Sequence, residues 1–284
     1  GTRLDISQRE GGWNFLAHGG RLRQTGTPEL ALESAKIRFR DPSLFIEDAE
    51  LRQTSGSGAV NLAGEVRFND HLELQAKLNA VSVTPFLPED WRMRLTGNLN
   101  GDIKVNSPLP LKGFPQLSGN ITMVDGRLEA LPILDQIATF TGSQQFRRLT
   151  LSKTAGVFTY DGKRLSVTDF EMEAARLLRI EGAYTVENGQ IDGQFQVGVT
   201  PPSLQWLPGA QDRVFTVARN GYLWTPMHLS GPVEKPKEDL SPRLIAAAQG
   251  AIIEKATDIA KPLEGAAKGL EDTATKALGH FFGQ

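Results

Sequence analysis

The sequence predicts a mostly β fold: an elongated, curved antiparallel sheet that forms a half-open groove, with one short inserted helix and a C-terminal amphipathic helical tail. Three observations predict this fold. Apolar and polar residues alternate with a period of two through several long runs. Asn-Gly and Asp-Gly pairs, which are strong hairpin signals, separate such runs. Near the C-terminus the apolar period changes to three and four, which is typical of a helix.

The N-terminal part begins with interrupted strand-like sequence from Leu4 to Arg40, where Asp41-Pro42 predicts a turn. The alternation then becomes regular over residues 60–68, 72–78 and 95–105. In each run the apolar side chains share one face and the polar side chains share the other. This pattern predicts long antiparallel strands with one face in contact with water.

Three prolines and a glycine in residues 108–115 predict a linker or crossover. A strand over 117–124 follows, with a predicted turn at Asp125-Gly126 and a short helix over 131–141. Further hairpin turns are expected at Asp161-Gly162, Asn188-Gly189 and Asn220-Gly221. The second half therefore is predicted to be a meander with one helix set into it.

The tail follows a charged, proline-containing linker at 235–242. Its apolar stripe begins at Ile245, Ala248 and Ile252, and Pro262 is expected to break the helix. Mixed charges make a membrane-surface helix a weak interpretation. Docking on the protein's own sheet is favoured, and pairing of 243–284 with a helix of another protein is the alternative. The predicted divisions are 1–107, 108–234 and 235–284.

Composition excludes several classes of protein. The chain has 284 residues, 39% hydrophobic and 23% charged, which fits a folded, soluble protein. A net charge of −2 gives no electrostatic basis for nucleic-acid binding. Without cysteine there are no disulfides or thiolate metal sites. No apolar run approaches the roughly 18 residues of a membrane span. Because Gly1-Thr2 lies within strand-like sequence, we expect that a targeting segment has been removed ahead of it.

No catalytic motif is found. The four histidines are dispersed without metal-ligand spacing, and no Gly-x-Ser-x-Gly elbow is present. Acidic pairs such as Glu171 and Glu173 have the chemistry of a glycosidase, but solvated surface carboxylates are the favoured interpretation. The sequence therefore predicts neither an enzyme nor a cofactor or metal site.

The apolar faces allow two architectures, a sandwich with a closed core or a long sheet whose inner face stays open. The long strands outnumber the helices that could cover them. Glycines on the inner face, including Gly97, Gly182 and Gly193, are expected to bend the strands and leave space. Both features favour the open groove. The candidate lining residues are Val60, Leu62, Val66, Phe68, Leu72, Leu74, Leu78, Leu95, Leu99, Ile103, Val105, Ile121, Met123, Ile180, Tyr184, Val186, Ile191, Phe195, Val197 and Val199.

From Phe146 onward the chain contains a series of short motifs in this order: Phe146-Arg-Arg-Leu-Thr-Leu, Gly156-Val-Phe, Asp161-Gly162, Leu165-Ser-Val, Ile180-Glu-Gly-Ala-Tyr, Asn188-Gly189, Ile191-Asp-Gly and Leu229-Ser-Gly-Pro-Val-Glu-Lys-Pro. This order resembles the C-terminal region of the AsmA-like family of Gram-negative envelope proteins. The family is related to TamB and, more distantly, to bridge-like lipid transfer proteins. The resemblance covers 115–236 well and 50–107 loosely, and the helical tail departs from the family's minimal pattern.

The resemblance implies a periplasmic protein of a Gram-negative bacterium that is anchored in a membrane by a segment missing here. It also implies an apolar β-groove that carries phospholipid or fatty acyl chains between membranes. The first hypothesis is therefore a non-enzymatic lipid-binding or lipid-transfer module. The alternative is a structural or assembly protein of the envelope that acts through sheet edges and the C-terminal helix.

Overall fold

The computed structural model describes residues 1–9, 11–23, 29–87, 89–129, 147–174, 177–205, 207–251 and 254. These residues form one large, open antiparallel sheet with a few short helices and a longer helix near the C-terminus. The predicted fold class is confirmed. The helix predicted at 131–141 and the helical tail predicted beyond residue 254 lie outside the described residues.

The sheet contains seventeen described strands. They are β1 (Arg3–Arg9), β2 (Gly12–His18), β3 (Arg21–Leu22), β4 (Leu30–Arg40), β5 (Ser43–Gln53), β6 (Ala59–Arg67), β7 (His71–Ser82), β8 (Leu95–Pro108), β9 (Gln116–Glu129), β10 (Arg148–Leu151), β11 (Lys153–Tyr160), β12 (Arg164–Ala174), β13 (Leu178–Glu187), β14 (Gln190–Val199), β15 (Val217–Arg219), β16 (Tyr222–Pro232) and β17 (Lys237–Glu238).

The short helices are α1 (Glu89–Arg92), α2 (Pro201–Leu204) and α3 (Ala210–Arg213). A single 3₁₀ turn at Thr84–Phe86 precedes α1. The longer helix, α4, includes residues 240–251. Sequence periodicity did not predict α1, α2 or α3, because one turn of helix is too short to show a period of 3.6.

Almost every strand pairs with the next one along the chain. The ladder runs in this way from β1 to β14, except that β2 and the two-residue β3 both pair with β4. Strand β16 then pairs with β14, β15 and β17. The strands β10 and β11 both pair with β9, at Leu149↔Leu128 and Gly156↔Ile121 respectively. The boundary predicted at 107/108 falls just before Pro108, the last residue of β8, and the ladder continues from β8 to β9.

The register places the apolar side chains of neighbouring strands on one face of the sheet. Residues directly opposite each other in a ladder project to the same side. Leu62 lies opposite Ala76, and Ala76 lies opposite Ile103. In the second half, Ile180 lies opposite Val197. The alternation within each strand is thus aligned between strands, so the sheet has one continuous apolar face.

The hairpin turns show which glycine pairs were correctly interpreted. Asn188-Gly189 and Asn220-Gly221 have positive φ at both residues and connect paired strands, as predicted. At Asp161-Gly162 the Asp161 carboxylate accepts hydrogen bonds from the backbone N–H groups of residues 163 and 164 in the turn between β11 and β12.

The predicted turn at Asp125-Gly126 is wrong. Both residues lie inside β9, where they form a bulge opposite Gly97 of β8. Both Asp125 and Gly97 have positive φ, as a bulge can require. Asp125 supplies the positive φ that a turn would also need at this position, so the local sequence did not distinguish a bulge from a turn.

The main core lies at the end of the sheet where α2, α3 and α4 pack against β9–β16. The most buried side chains there include Leu149, Ala210 and Phe215, and Leu149 has no exposed surface. A smaller cluster in the first half of the sheet is built from Ala17, Ala35 and Ala49. The better-packed part of the chain is therefore the region of β9–β16 with its covering helices.

Candidate functional site

The predicted lining residues lie on the apolar face of the sheet, and they differ in how far they are covered. All but Phe68 are in strands whose registers place them on this face. Phe68 follows β6, is 46% exposed, and has its ring centroid 6.2 Å from that of Phe39. Three of the residues, Phe195, Val197 and Val199, are buried. The other sixteen are half-buried among the described residues.

A cavity of about 980 Å³ lies where the apolar face meets the covering helices. Three of the predicted residues, Ile180, Val197 and Val199, line it. Its volume lies near the upper end of the range for small-molecule sites, about 300–1,000 Å³. Its other apolar lining comes from Leu128, Leu149, Met172, Leu178, Leu204, Leu207, Phe215, Met227, Leu229, Leu240 and Leu244.

The sheet curves around this cavity. Trp91 and Arg94 come just before β8, and Met227 and Leu229 lie on β16. Six strand pairings separate β8 from β16, through β9, β11, β12, β13 and β14. Six steps of a flat sheet span about 29 Å. Residues from both ends of this span nevertheless line the same cavity. The apolar face of the sheet therefore runs into the cavity as the inside of a curve.

Helix α4 closes one side of the cavity by docking on the protein's own sheet. Leu240, Leu244 and Ala247 are buried at helical spacing. Ile245 is 42% exposed, so the buried stripe of the helix includes Leu244 in place of Ile245, one residue before the predicted position. For residues 240–251 the favoured interpretation, docking on the protein's own sheet, is the one observed.

Polar contacts fix the start of α4. The Glu238 carboxylate accepts hydrogen bonds from the backbone N–H groups of Leu240 at 2.6 Å and Ser241 at 2.8 Å. These groups lack partners within the helix, so the carboxylate caps it. The Arg243 guanidinium donates to Thr225 Oγ1 at 3.1 Å and to the carbonyl oxygen of Pro226. The helix is thus attached to β16 by hydrogen bonds as well as by its apolar face.

An aromatic cluster fills the apolar face beside the cavity. The rings of Phe170, Tyr184 and Phe195 have centroids 5.8–6.1 Å apart. A Cβ added at Gly182 or Gly193 would lie 2.8 Å or 2.6 Å from the Phe195 ring. The expectation that these two glycines leave space was wrong, because Phe195 occupies it.

Burial raises the pKa of the Tyr184 phenol above its ordinary value of 10.0. The folded protein therefore holds this proton more tightly than the unfolded chain does. The resulting stability is complete below pH 10 and is lost as the pH rises through the folded-state pKa. We expect Tyr184→Phe to make the alkaline loss of stability shallower in denaturation measured between pH 8 and 11. Identical pH profiles for the two proteins would contradict this.

The opposite face of the sheet carries charges that neutralise one another. Arg179 lies within 2.6–3.4 Å of carboxylate oxygens of Glu171, Glu173 and Glu181. Lys153 Nζ lies 2.6 Å from Glu171 as well. The side chains of Glu171 and Glu173 are only 18% and 25% exposed, so they are less solvated than expected. Their ion pairs explain this cluster without a catalytic role.

Other chemistry has little support within the described part of the chain. No group of three or more His, Asp or Glu residues has metal-binding geometry there. His228 pairs with Asp192 at 2.7 Å, and both side chains are exposed. None of the helices in the described ranges has the length and hydropathy needed to cross a bilayer. The feature that stands out is therefore the apolar face with its cavity.

Sequence reasoning missed several residues of the cavity. Trp91 and Arg94 come from the connection around α1, and Leu128 and Leu149 come from strands that meet only through the β9–β10 ladder. Periodicity identifies the buried face of one element, but it does not say which elements close over that face. Comparison with known protein families, characterised proteins and solved structures finds no match to this chain.

Proposed function

We propose that this chain is a non-enzymatic lipid-binding or lipid-transfer module of the bacterial envelope, which holds acyl chains on the apolar face of its sheet. The observation that carries the proposal is the continuity of that face. Cross-strand pairs connect its apolar residues from β2 through β16, and the face leads into a cavity of about 980 Å³. An extended apolar surface that ends in an apolar cavity suits a long hydrocarbon chain.

Removal of an acyl chain from water supplies the free energy of binding. Each methylene group removed from water contributes about 0.8 kcal/mol, so ten methylenes contribute about 8 kcal/mol. The half-buried side chains of β6–β9 offer a surface on which a chain can lie. Binding spread over many weak apolar contacts permits movement along the face, which a transfer protein needs. The resemblance to the AsmA-like family supports the same function and a periplasmic location, with the membrane anchor outside this chain.

Lipid capture tests the proposal. The purified chain is measured by native mass spectrometry with lipid extraction, and then by uptake of a fluorescent fatty acid. We expect bound lipid and saturable uptake. Leu99→Asp places a charge on the half-buried apolar face, and Met227→Trp fills part of the cavity. Each variant should reduce uptake roughly tenfold or more, a change of about 1.4 kcal/mol.

Thr96→Asp is the matched control for Leu99→Asp. It lies on the same strand, is exposed, and faces Arg127 across the ladder. It should leave uptake and the β-sheet circular dichroism signal unchanged. Loss of folding in Leu99→Asp, with Thr96→Asp intact, would mean that this face is a closed core. A wild-type protein that contains no lipid and takes up no fatty acid would refute lipid binding.

The structural or assembly role has one observation in its favour. Among the described strands, β1 pairs only with β2, and its Leu4 and Ile6 are 52% and 55% exposed. Such an edge can accept a strand from a partner. Because residues 240–251 belong to the core, the deletion that tests a role of the tail begins at residue 255. A protein without lipid that loses a bound partner on this deletion would favour the assembly role.

A further inference from the structure

The rim of the cavity contains a buried hydrogen-bond donor without a partner. Trp91 lines the cavity from α1, and its indole Nε1 is buried. It donates to no acceptor among the described residues. A buried N–H group that makes no hydrogen bond is costly, and such groups are rare in folded proteins. An acceptor atom on a bound ligand would remove this cost.

The charges around Trp91 favour an anionic acceptor. Arg94, Lys235 and Lys237 line the same cavity, and none of them forms an ion pair with a described residue. By contrast, Arg179 and Arg213 pair with carboxylates nearby. Arg94 is half-buried as a residue and lines the cavity.

Three carboxylates, those of Asp90, Glu234 and Glu238, also line the cavity and equal the three cations in number. Glu238 caps α4 through two backbone N–H groups and is already occupied. Asp90 and Glu234 are exposed and form no ion pair with a described residue. Three cations and three carboxylates therefore balance along the lining, and the feature that favours an anion is Arg94, a half-buried residue without an ion pair, three positions from the unused N–H donor.

We propose that the cavity binds a long-chain fatty acid, with its carboxylate held by Trp91 Nε1 and the Arg94 guanidinium and its chain along the apolar lining. This deepens the proposed function and rests on it. A carboxylate carries one charge, which the single charge of Arg94 balances. It also accepts two parallel hydrogen bonds from a guanidinium. A phosphate monoester carries more negative charge than Arg94 alone balances.

The experiment compares ligands that share a chain and differ in the head group. Binding of palmitic acid, methyl palmitate and palmitoyl lysophosphatidic acid to the full chain is measured at pH 8 by isothermal titration calorimetry. We expect palmitate to bind more tightly than methyl palmitate. Removal of one hydrogen bond to a charged group typically costs roughly tenfold in affinity or more.

Two variants assign that preference to named atoms. Trp91→Phe keeps an aromatic ring and removes the N–H donor, and Arg94→Gln removes the charge. Both should weaken palmitate binding by a larger factor than methyl palmitate binding, because the ester keeps a carbonyl acceptor and lacks the charge. Arg92→Gln is the matched control, because Arg92 lies on α1 and does not line the cavity. It should bind both ligands as the wild type does.

Each other outcome overturns a stated part of the inference. Equal binding of palmitate and methyl palmitate, unaffected by the variants, would refute recognition of the head group and leave the proposed lipid binding intact. Tighter binding of lysophosphatidic acid than of palmitate would refute the assignment to a carboxylate. Absence of binding for all three ligands would refute the proposed function itself. Circular dichroism and melting temperature confirm that each variant is folded.

Discussion

Replacing Leu149 with alanine is expected to lower the free energy of unfolding by about 2–5 kcal/mol. Leu149 has no exposed surface, lies opposite Leu128 in the β9–β10 ladder, and belongs to the main core. The truncation removes buried apolar surface and leaves a void. Because Leu149 also lines the cavity, the void adds to space that is already present. Urea denaturation followed by circular dichroism measures the effect.

The control for this prediction is Leu111→Ala. Leu111 lies in the connection between β8 and β9 and is 54% exposed, so the same chemical change removes little buried surface. It should change stability by less than about 0.5 kcal/mol. If the two variants lost equal stability, the main core would not be where the structure places it.

Replacing Gly209 with alanine is expected to displace α4. Gly209 has a φ of +71°, and an added Cβ would lie 2.6 Å from the carbonyl oxygen of Ala247 in α4. That distance is too short for a non-bonded contact with backbone, so the helix must shift. The backbone conformation costs about 1–2 kcal/mol for alanine, and overpacking typically adds about 1–3 kcal/mol. The midpoint of urea denaturation measures the total.

Gly189→Ala separates the two contributions. Gly189 has the same φ of +71°, and an added Cβ there would meet no atom within 4 Å. It should therefore show only the cost of the backbone conformation. The difference between the two variants measures the contact with α4. Equal losses for Gly209→Ala and Gly189→Ala would mean that α4 does not pack against Gly209.

The strands were well predicted because their information is local. In β8, one apolar residue at every second position identifies both the strand and the face that it buries. The pair Asn188-Gly189 likewise determines its own turn. The pair Asp125-Gly126 was misinterpreted because a bulge depends on the partner strand, and periodicity within one strand carries no information about its partner.

The site was predicted less completely for a related reason. The lining residues on the sheet follow from alternation, and the register then aligns them. The cavity needs Trp91 from a one-turn helix and Leu240 and Leu244 from α4 to meet the inside of a curved sheet. These contacts join segments more than a hundred residues apart, and no pattern in either segment specifies the other. The buried Trp91 Nε1 is visible only once the chain is folded.

The connectivity of the sheet has a consequence for how such a protein can change during evolution. Since almost every strand pairs with its sequence neighbour, one hairpin can be gained or lost without rewiring the rest. Each such event would lengthen or shorten the apolar face by two strand spacings, about 10 Å. The length of the apolar face then changes in equal steps, one hairpin at a time. The number of hairpins therefore determines the length of the apolar face, and the residues at its two ends do not.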